Sequence, residues 1–321
     1  MGAVIFPIRD FYDQSSELVG IKSGILLSDF SINKILKEKF DDSFLEDSNS
    51  NNHIRLRVES IEEMIRYIRI RIGNIPKDPE VNYYRIIAEE IDNPEFLNIH
   101  NRYFKFALHI YSKGQSLTYP KLRNEISKEK LLTTELIDAL VYTIMQRLDN
   151  NILLPESRQL DGLTPLESLF KMETFPQSKN TFIDQKFIDY LAVNGNEIEE
   201  IHWRNFERFV AEYFNRQNFT VILGPGTNDG GIDIRVYNQK ENNDPFILIQ
   251  CKRYKKEHKV TIETVKAFHA DVNFENAQSG LIATTSMIAT GGKKIVTARD
   301  YNISFAENEN IKNWATSMWD K

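Results

Sequence analysis

The chain has 321 residues, of which 41% are hydrophobic and 27% are charged, proportions that are ordinary for a globular protein with room for two domains. The formal net charge is −6, which argues mildly against a general nucleic-acid binder because such proteins are usually basic. The single cysteine, Cys251, excludes an intramolecular disulfide and a thiolate-rich metal site. No apolar run reaches the roughly 20 residues of a membrane helix, and Met1 to Asp13 does not resemble a signal peptide, so we expect a soluble, cytoplasmic protein without membrane partners.

The N-terminal part of the chain has mainly helical patterns. The polar stretch from Asp41 to His53 is predicted to be an exposed loop or linker. Apolar residues from Ile61 to Ile72 recur at helical spacing, and further helices are predicted between Arg102 and Leu148, the last one preceded by a cap at Thr133–Thr134. With the short apolar run Ile152 to Leu154, this order fits a winged helix or, as we favour, a small helical scaffold.

The turn-forming cluster Asn194-Gly195-Asn196 is the predicted boundary between two domains. We expect residues 1–195 to form a mostly helical recognition, regulatory or assembly domain and residues 196–321 to form a second domain. Beyond the boundary the pattern predicts a mixed sheet flanked by helices, so the fold class of the chain is α+β. The predicted elements are His202–Arg216, Phe219–Leu223, Ile232–Val236, Phe246–Lys252, Thr261–Phe274, Gly280–Thr284, Ala289–Arg299, Ile303–Ala306 and a last helix with two tryptophans.

Two neighbouring strands of this sheet carry polar side chains that are expected to lie on the same face of the sheet. Successive side chains point to opposite faces, so Ile232 and Ile234 are expected on one face and Asp233 on the other. On the next strand, Gln250 and Lys252 share a face. A short polar turn joins the strands, and a hairpin would therefore place Asp233 beside Gln250 and Lys252.

An acid, an amide oxygen and an amine at neighbouring positions suit the hydrolysis of a phosphodiester. Asp233 can bind Mg²⁺ through a carboxylate oxygen, and the amide oxygen of Gln250 can serve as a second, neutral ligand. Such an ion polarises a phosphoryl oxygen and lowers the pKa of a bound water, which Lys252 can orient or deprotonate. The alternative is that Asp233 and Lys252 form a plain cross-strand ion pair.

Glu207 lies at the edge of the apolar stripe of the preceding helix. A turn of about 100° per residue places it beside Trp203 and Phe214. A carboxylate in that position is costly unless it has a partner, such as a metal site. The alternatives are that Glu207 extends to solvent or pairs with Arg204 or Arg208.

Four runs in this order resemble a known family. They are FERFV at 206–210, NDGGIDI at 228–234, LIQCKRY at 248–254 and GLIATTS at 280–286. Together they resemble the catalytic domain of Mrr-type restriction endonucleases, a branch of the PD-(D/E)xK nuclease superfamily. The resemblance covers about Glu199 to Glu307, and its specificity comes from the combined order and spacing.

The resemblance implies a restriction-endonuclease-like α/β domain that cleaves double-stranded DNA with Mg²⁺ or Mn²⁺, in prokaryotic defence against foreign or modified DNA. It maps the metal-binding acid onto Asp233, the second ligand onto Gln250, a helix carboxylate onto Glu207 and the lysine onto Lys252. It also implies a homo-oligomer, dimeric or larger, and a partner protein of a defence system. Gln250 replaces the usual Asp or Glu, which weakens metal affinity, and Ile232 replaces a Pro.

Basic residues after the third strand are candidates for contacting DNA. Arg253, Lys255 and Lys256 lie in one basic stretch, and Lys293 opens a predicted helix whose backbone N–H groups can hold a phosphate. A solvated loop and a plain helix start are the alternatives, and the plain helix start is favoured.

Other functions stay open at this point. Asp229, on the glycine-rich loop, is a rival to Asp233 as the metal-binding acid, although an Asp before Gly is usually turn chemistry. Gln250 and the acidic net charge suit an inactive DNA-binding or assembly module that keeps the nuclease fold. A nuclease that acts on branched DNA or on RNA is the remaining alternative.

Overall fold

In the computed structural model, the described residues are 2–40, 53–113, 117–149, 162–226, 231–238 and 245–319. The chain forms two compact units, one of which comprises Met1–Leu163 and the other Thr164–Trp319. Gly195, at the predicted boundary, falls inside the second unit, and the division at residue 195 stays a prediction. Most of the predicted linker, the run 152–154 and the rival acid Asp229 lie outside the described residues. Among the helices of these ranges, none has both the length and the apolar character needed to cross a membrane.

The first unit is mainly helical. Its elements are β1 (Ala3–Pro7), α1 (Ile8–Ser23), β2 (Ile25–Leu26), α2 (Asp29–Leu36), β3 (His53–Arg57), α3 (Val58–Arg71), α4 (Tyr83–Glu90), α5 (Pro94–Ser112), α6 (Tyr119–Ile126) and α7 (Thr134–Asp149). Strands β1 and β3 pair antiparallel. The helices predicted from apolar spacing are present as α3, α5, α6 and α7.

Helices α5, α6 and α7 share one apolar core. It includes Leu122 of α6 and Leu140 of α7, which are fully buried, and it accounts for the helical spacing of the apolar residues in this part of the sequence. The side-chain oxygen of Thr133 accepts a hydrogen bond from the backbone N–H of Leu136 at 3.3 Å, so the predicted N-terminal cap of α7 is confirmed.

The second unit contains a five-stranded sheet with helices around it. Its elements are β4 (Thr164–Pro165), α8 (Ser168–Lys171), α9 (Gln185–Val193), a 3₁₀ helix (Gly195–Glu199), α10 (Trp203–Arg216), β5 (Thr220–Leu223), β6 (Ile234–Tyr237), β7 (Ile247–Lys252), α11 (Ile262–Phe274), β8 (Ser279–Thr284), α12 (Thr290–Arg299), β9 (Ile303–Ala306) and α13 (Asn308–Ser317). The order from α10 onward is the predicted one, and the fold class is confirmed.

The sheet is mixed, as the sequence predicted. Its strand order is β5-β6-β7-β8-β9, with antiparallel pairing from β5 to β7 and parallel pairing from β7 to β9. One face packs on α11 through Leu248, Phe268 and Val272. A Cβ added at Gly280 of β8 would lie 2.7 Å from Val272 and 2.8 Å from Phe268, so only glycine lets α11 approach this closely. Cys251 is a buried thiol, as predicted.

The hairpin of β6 and β7 is present, but its alternation fails before Ile234. Ile234 lies opposite Ile249, so both point away from the face that carries Leu248. Ile232 packs in the same core cluster as Leu248. The prediction that Ile232 and Ile234 share a face is therefore wrong. Regular alternation requires a continuous strand, and β6 begins only at Ile234, shortly after Gly231 has taken a positive φ of 88°.

Candidate active site

Asp233 lies at the start of β6 and is fixed by several backbone groups. Its N–H donates to the carbonyl of Ile249 at 3.0 Å, and its carbonyl accepts from the N–H of Gly224 at 2.7 Å. Its carboxylate oxygen Oδ2 accepts from the N–H of Cys251 at 2.6 Å. The side chain of Asp233 thus reaches β7 between Gln250 and Lys252, the neighbours that the sequence assigned to it.

Gln250 has one half of its amide group bonded and the other half without a partner. Its Nε2 donates to the carbonyl of Gly231 at 2.8 Å. Its Oε1 is buried and has no hydrogen-bond partner among the residues that the structure describes. A buried polar atom of this kind carries a cost of about 1–3 kcal/mol and calls for an explanation such as a bound ion or water. Gly231 permits the arrangement, because a Cβ there would lie 3.0 Å from Nε2 of Gln250.

Glu207 brings a second carboxylate to the same place from α10. It is 6% exposed, so it does not extend to solvent. Burial and the nearby negative charge of Asp233 together raise the pKa of Glu207 to about 7, even though Arg204 acts in the opposite direction. Arg204 Nη1 donates to Glu207 Oε2 at 2.6 Å, so the ion pair considered from the sequence is formed.

Arg204 also holds two groups that sequence reasoning missed. Its Nη2 donates to the carbonyl of Gly224 at 2.6 Å, and its Nε donates to Glu173 at 3.3 Å. Arg204 therefore ties Glu207 to the loop that precedes Asp233. The spacing of Arg204 and Glu207 on one helix is a local signal, whereas nothing in the sequence near Glu173 or Gly224 points to these contacts.

Lys252 ends β7 at the same corner of the sheet. Its carbonyl accepts from Thr284 Oγ1 at 2.8 Å, which fixes the backbone there. The pKa of the neighbouring Cys251 thiol is raised, mainly by burial and then by the negative charges of Asp233 and Glu207, while Lys252 acts to lower it.

The basic stretch after β7 is held by the 3₁₀ helix and the residue that follows it. Arg253 Nη1 donates to the carbonyl of Glu199 at 2.9 Å, and the backbone N–H of Lys256 donates to the Glu199 carboxylate at 2.9 Å. Lys255 pairs with Glu200 at 3.3 Å across an exposed contact. The side chain of Lys255 therefore lies beside an acid at the surface, while Arg253 and the backbone of Lys256 are held by Glu199, an arrangement that the sequence alone did not indicate.

Lys293 lies in the first turn of α12, where the sequence placed a helix start. Its Nζ pairs with Glu307 at 2.7 Å. The same carboxylate accepts from the backbone N–H of Ile288 at 2.6 Å, so Glu307 joins the start of α12 to the end of β9. The predicted helix start is present, and the side chain of Lys293 is 44% exposed beside it, so its role as a contact to DNA stays a prediction.

The donor set at this corner suits a hard divalent cation. Two carboxylates, from Asp233 and Glu207, and the amide oxygen of Gln250 supply only oxygen atoms, which Mg²⁺ and Mn²⁺ prefer. In the described ranges no group of three or more His, Cys, Asp or Glu side chains is placed to bind a metal, so the candidate set depends on the amide as its third donor. A cation would offset the repulsion between the carboxylates and give Gln250 Oε1 a partner, so the residues fit such an ion.

Comparison with known families agrees with this geometry. Residues 198–315 match the family model of the Mrr catalytic domain, which is described as a restriction endonuclease. The C-terminal part of the chain therefore matches the Mrr restriction-endonuclease catalytic domain, and the resemblance stated from the motifs is confirmed for this part.

Two individual proteins are similar to part of the chain. The curated relative "Uncharacterized protein y4cE" of Sinorhizobium fredii (strain NBRC 101917 / NGR234) is 24% identical over 122 residues, 38% of this chain and 31% of the relative. The chain thus matches under a third of that protein's length. Among solved structures, the MspJI restriction endonuclease in complex with a 27-mer oligonucleotide is 16% identical, with a TM-score of 0.29, over 42% of this chain and 30% of that one.

Proposed function

We propose that this chain is a metal-dependent endonuclease that hydrolyses phosphodiester bonds of DNA at the β6–β7 hairpin. One observation carries the proposal: the buried carboxylates of Asp233 and Glu207 lie close together, and the adjacent strand carries Gln250, whose buried Oε1 has no hydrogen-bond partner among the described residues. These residues all lie within the span that matches a restriction-endonuclease domain. A purely structural cluster would gain nothing from two carboxylates of like charge beside an unsatisfied acceptor.

Asp233, Glu207 and Gln250 would hold Mg²⁺ or Mn²⁺. When bound, such an ion polarises a phosphoryl oxygen and lowers the pKa of a coordinated water. The hydrogen bond from the Cys251 N–H to Asp233 Oδ2 favours the ionised, oriented carboxylate. Arg204 fixes the position of Glu207 from the other side.

Lys252 is the group that we assign to the reacting phosphate. As an ammonium it would neutralise the negative charge that grows on the phosphate in the transition state and orient the attacking water, whereas as the neutral amine it would instead accept a proton from that water. Removal of the Lys252 amine should therefore slow the chemical step more than it weakens binding of DNA.

The proposed DNA-contacting residues are Arg253, Lys255, Lys256 and Lys293. Exposed ion pairs contribute only about 0–1 kcal/mol, so a phosphate can replace Glu200 at Lys255 at little cost. The resemblance to Mrr-type enzymes also supports a homo-oligomer, a partner protein of a defence system and a role against foreign or modified DNA.

Cleavage of a supercoiled plasmid tests the activity. With Mg²⁺ or Mn²⁺ the purified chain should nick or linearise the plasmid, and excess chelator should stop it. Asp233→Ala and Lys252→Ala should each lower the rate by at least about 100-fold, the scale of removing one preorganised electrostatic group. Arg235→Ala, on β6 but paired with Glu275, is the matched control and should keep the rate. Equal rates in all four proteins would reject the assignment.

Metal binding separates an enzyme from an inactive module with the same fold. Calorimetric titration with Mn²⁺ should show binding that Asp233→Asn weakens by at least about tenfold. If the wild type binds no divalent ion, the inactive DNA-binding or assembly module replaces the enzyme. Parallel digests of plasmid, four-way junction and structured RNA should show the fastest cleavage on plasmid, and a preference for either of the others would change the substrate class.

A further inference from the structure

We propose that the first unit contains a binding site for a nucleobase, in a tyrosine-lined cavity between α3, α4, α7 and the segment that precedes α4. The cavity has a volume of about 490 Å³. This is within the range of small-molecule sites, and it is too small for a folded partner or a helix. The argument uses only residues of the first unit and does not rest on the proposed nuclease activity.

Three tyrosine rings give the cavity flat aromatic surfaces. The ring centroid of Tyr142 on α7 lies 5.5 Å from that of Tyr83 and 6.0 Å from that of Tyr84, both on α4. Tyr84 is 57% exposed, so its ring is open to a ligand at the mouth of the cavity. Such rings stack on nucleobases, and each stacking contact contributes about 1–3 kcal/mol.

A hydrogen-bonded network holds one of these rings in place. The hydroxyl of Tyr142 donates to Asp78 Oδ1 at 2.7 Å and accepts from Arg66 Nη2 at 3.2 Å. Arg66 also pairs with Asp78 and donates to the side-chain amide oxygen Oε1 of Gln146. Burial and the charge of Asp78 raise the pKa of Tyr142, which keeps its phenol protonated. The stacking surface is therefore preorganised, a property of binding sites more than of loose surface grooves.

The edge of the cavity offers acceptors to a base. The Asp78 side chain is 53% exposed even though it pairs with Arg66. Carboxylate oxygens accept several hydrogen bonds each, so Asp78 and the neighbouring Glu80 can accept from an exocyclic amino group. Cytosine and adenine carry such a group at the edge they present, whereas thymine presents carbonyl oxygens there. The site should therefore prefer cytosine or adenine over thymine.

A neighbouring cavity supplies the positive charge that a nucleotide phosphate needs. This second cavity, of about 350 Å³, shares the wall formed by Tyr83 and Tyr142. Lys77 and Arg123 line it together with the carboxylate of Asp138. Carboxylates thus dominate on one side of the tyrosine wall and cations on the other, as expected for a base on the first side and its phosphate on the second.

The test is calorimetric titration of the full-length chain, with chelator present so that no DNA is cut. The probes are dCMP, dAMP, dTMP and a short single-stranded oligonucleotide. We expect saturable binding, with dCMP or dAMP bound at least about fivefold more tightly than dTMP. If only the oligonucleotide binds, the site recognises a base within a DNA strand. If the preferred mononucleotide binds as tightly as the oligonucleotide, the ligand is a free nucleotide.

Two exposed aromatic side chains of the first unit provide the matched variants. Tyr84→Ala should weaken binding of the preferred probe by at least about fivefold. Phe30→Ala, on α2 and 78% exposed, should leave binding unchanged. Because both rings are exposed, both variants should keep the thermal midpoint of the wild type, which verifies that they fold.

A third variant tests base selectivity. Asp78→Asn should reduce the discrimination against dTMP, because an amide also donates hydrogen bonds to carbonyl oxygens. The proposal is overturned if no probe binds saturably or if Tyr84→Ala binds the preferred probe as tightly as the wild type. It is also overturned if Phe30→Ala loses as much affinity for that probe as Tyr84→Ala does. None of these results bears on plasmid cleavage, so the nucleobase site and the nuclease are judged separately.

Discussion

Two arginine–glutamate pairs in the second unit consist of the same two residue types, but the pKa of the glutamate is shifted in opposite directions. The side chains of Arg204 and Glu207 are 10% and 7% exposed, whereas those of Arg235 and Glu275 are 25% and 28% exposed. The pKa of Glu207 is raised to about 7, while that of Glu275 is lowered. A nearby arginine therefore does not by itself determine the protonation of a glutamate.

Burial and a second carboxylate explain the difference. Glu207 is desolvated and close to the charge of Asp233, and these effects outweigh its bond with Arg204. Glu275 receives two hydrogen bonds from Arg235, at 3.1 and 3.0 Å, and these outweigh its smaller desolvation. Buried carboxylates with a raised pKa, such as Glu207, are typical of functional sites, whereas carboxylates whose pKa is lowered by an ion pair, such as Glu275, are typical of structural contacts.

Removing the two arginines should give the largest contrast. Arg204→Ala leaves a buried carboxylate and the Gly224 carbonyl without their partner, and it should lower the free energy of unfolding by about 3 kcal/mol. Arg235→Ala breaks a partly exposed pair and should cost at most about 1 kcal/mol. Urea denaturation measures both values. Similar losses in the two variants would contradict the distinction between the pairs.

Removing the two glutamate charges should separate catalysis from structure. Glu207→Gln takes away a proposed metal ligand and should slow plasmid cleavage by up to about 100-fold. Glu275→Gln, which lies at the end of α11, should cleave at the rate of the wild type. Rates are compared at saturating Mg²⁺ and again at limiting Mg²⁺. If Glu207→Gln retains full activity at both concentrations, Glu207 is not a ligand.

The raised pKa of Glu207 predicts a pH dependence of stability. Between about 4.5, its ordinary pKa, and about 7, the folded protein keeps a proton on Glu207 that the unfolded chain has released. The folded state then binds more protons, so this group makes stability fall as the pH rises through that window. Thermal midpoints measured without metal across the window should fall less steeply in Glu207→Gln. An unchanged slope would mean that Glu207 is ionised throughout.

The smallest expected effect concerns the exposed lysines. Lys255→Ala should weaken binding of uncleaved duplex DNA in calcium buffer and lower the slope of its salt dependence by about 1, the contribution of one phosphate contact. Lys312→Ala is the control, because Lys312 is also paired with an acid, Glu309, but on α13. Identical salt slopes for the two variants would remove Lys255 from the proposed DNA surface.

The sequence by itself determined the order of elements from α10 to the end of the second unit and the resemblance to the family whose model matches residues 198–315. The strand predicted at Phe246–Lys252 is found at Ile247–Lys252, and the one predicted at Ile303–Ala306 is found at those residues. Apolar periodicity is a local property, so it can be read from consecutive residues. The same local motifs named the polar residues Asp233 and Gln250 that the structure brings together.

Only the tertiary structure decided which groups these residues meet. Ile232 packs with Leu248 because the strand begins after it, a fact that strict alternation could not supply. Arg204 reaches Glu173 through a contact between elements that are separate in the chain. Among the described residues Gln250 Oε1 has no hydrogen-bond partner, and this likewise depends on which elements pack around it. Contacts of this kind are set by how the elements pack against each other, and no local pattern in the sequence records them.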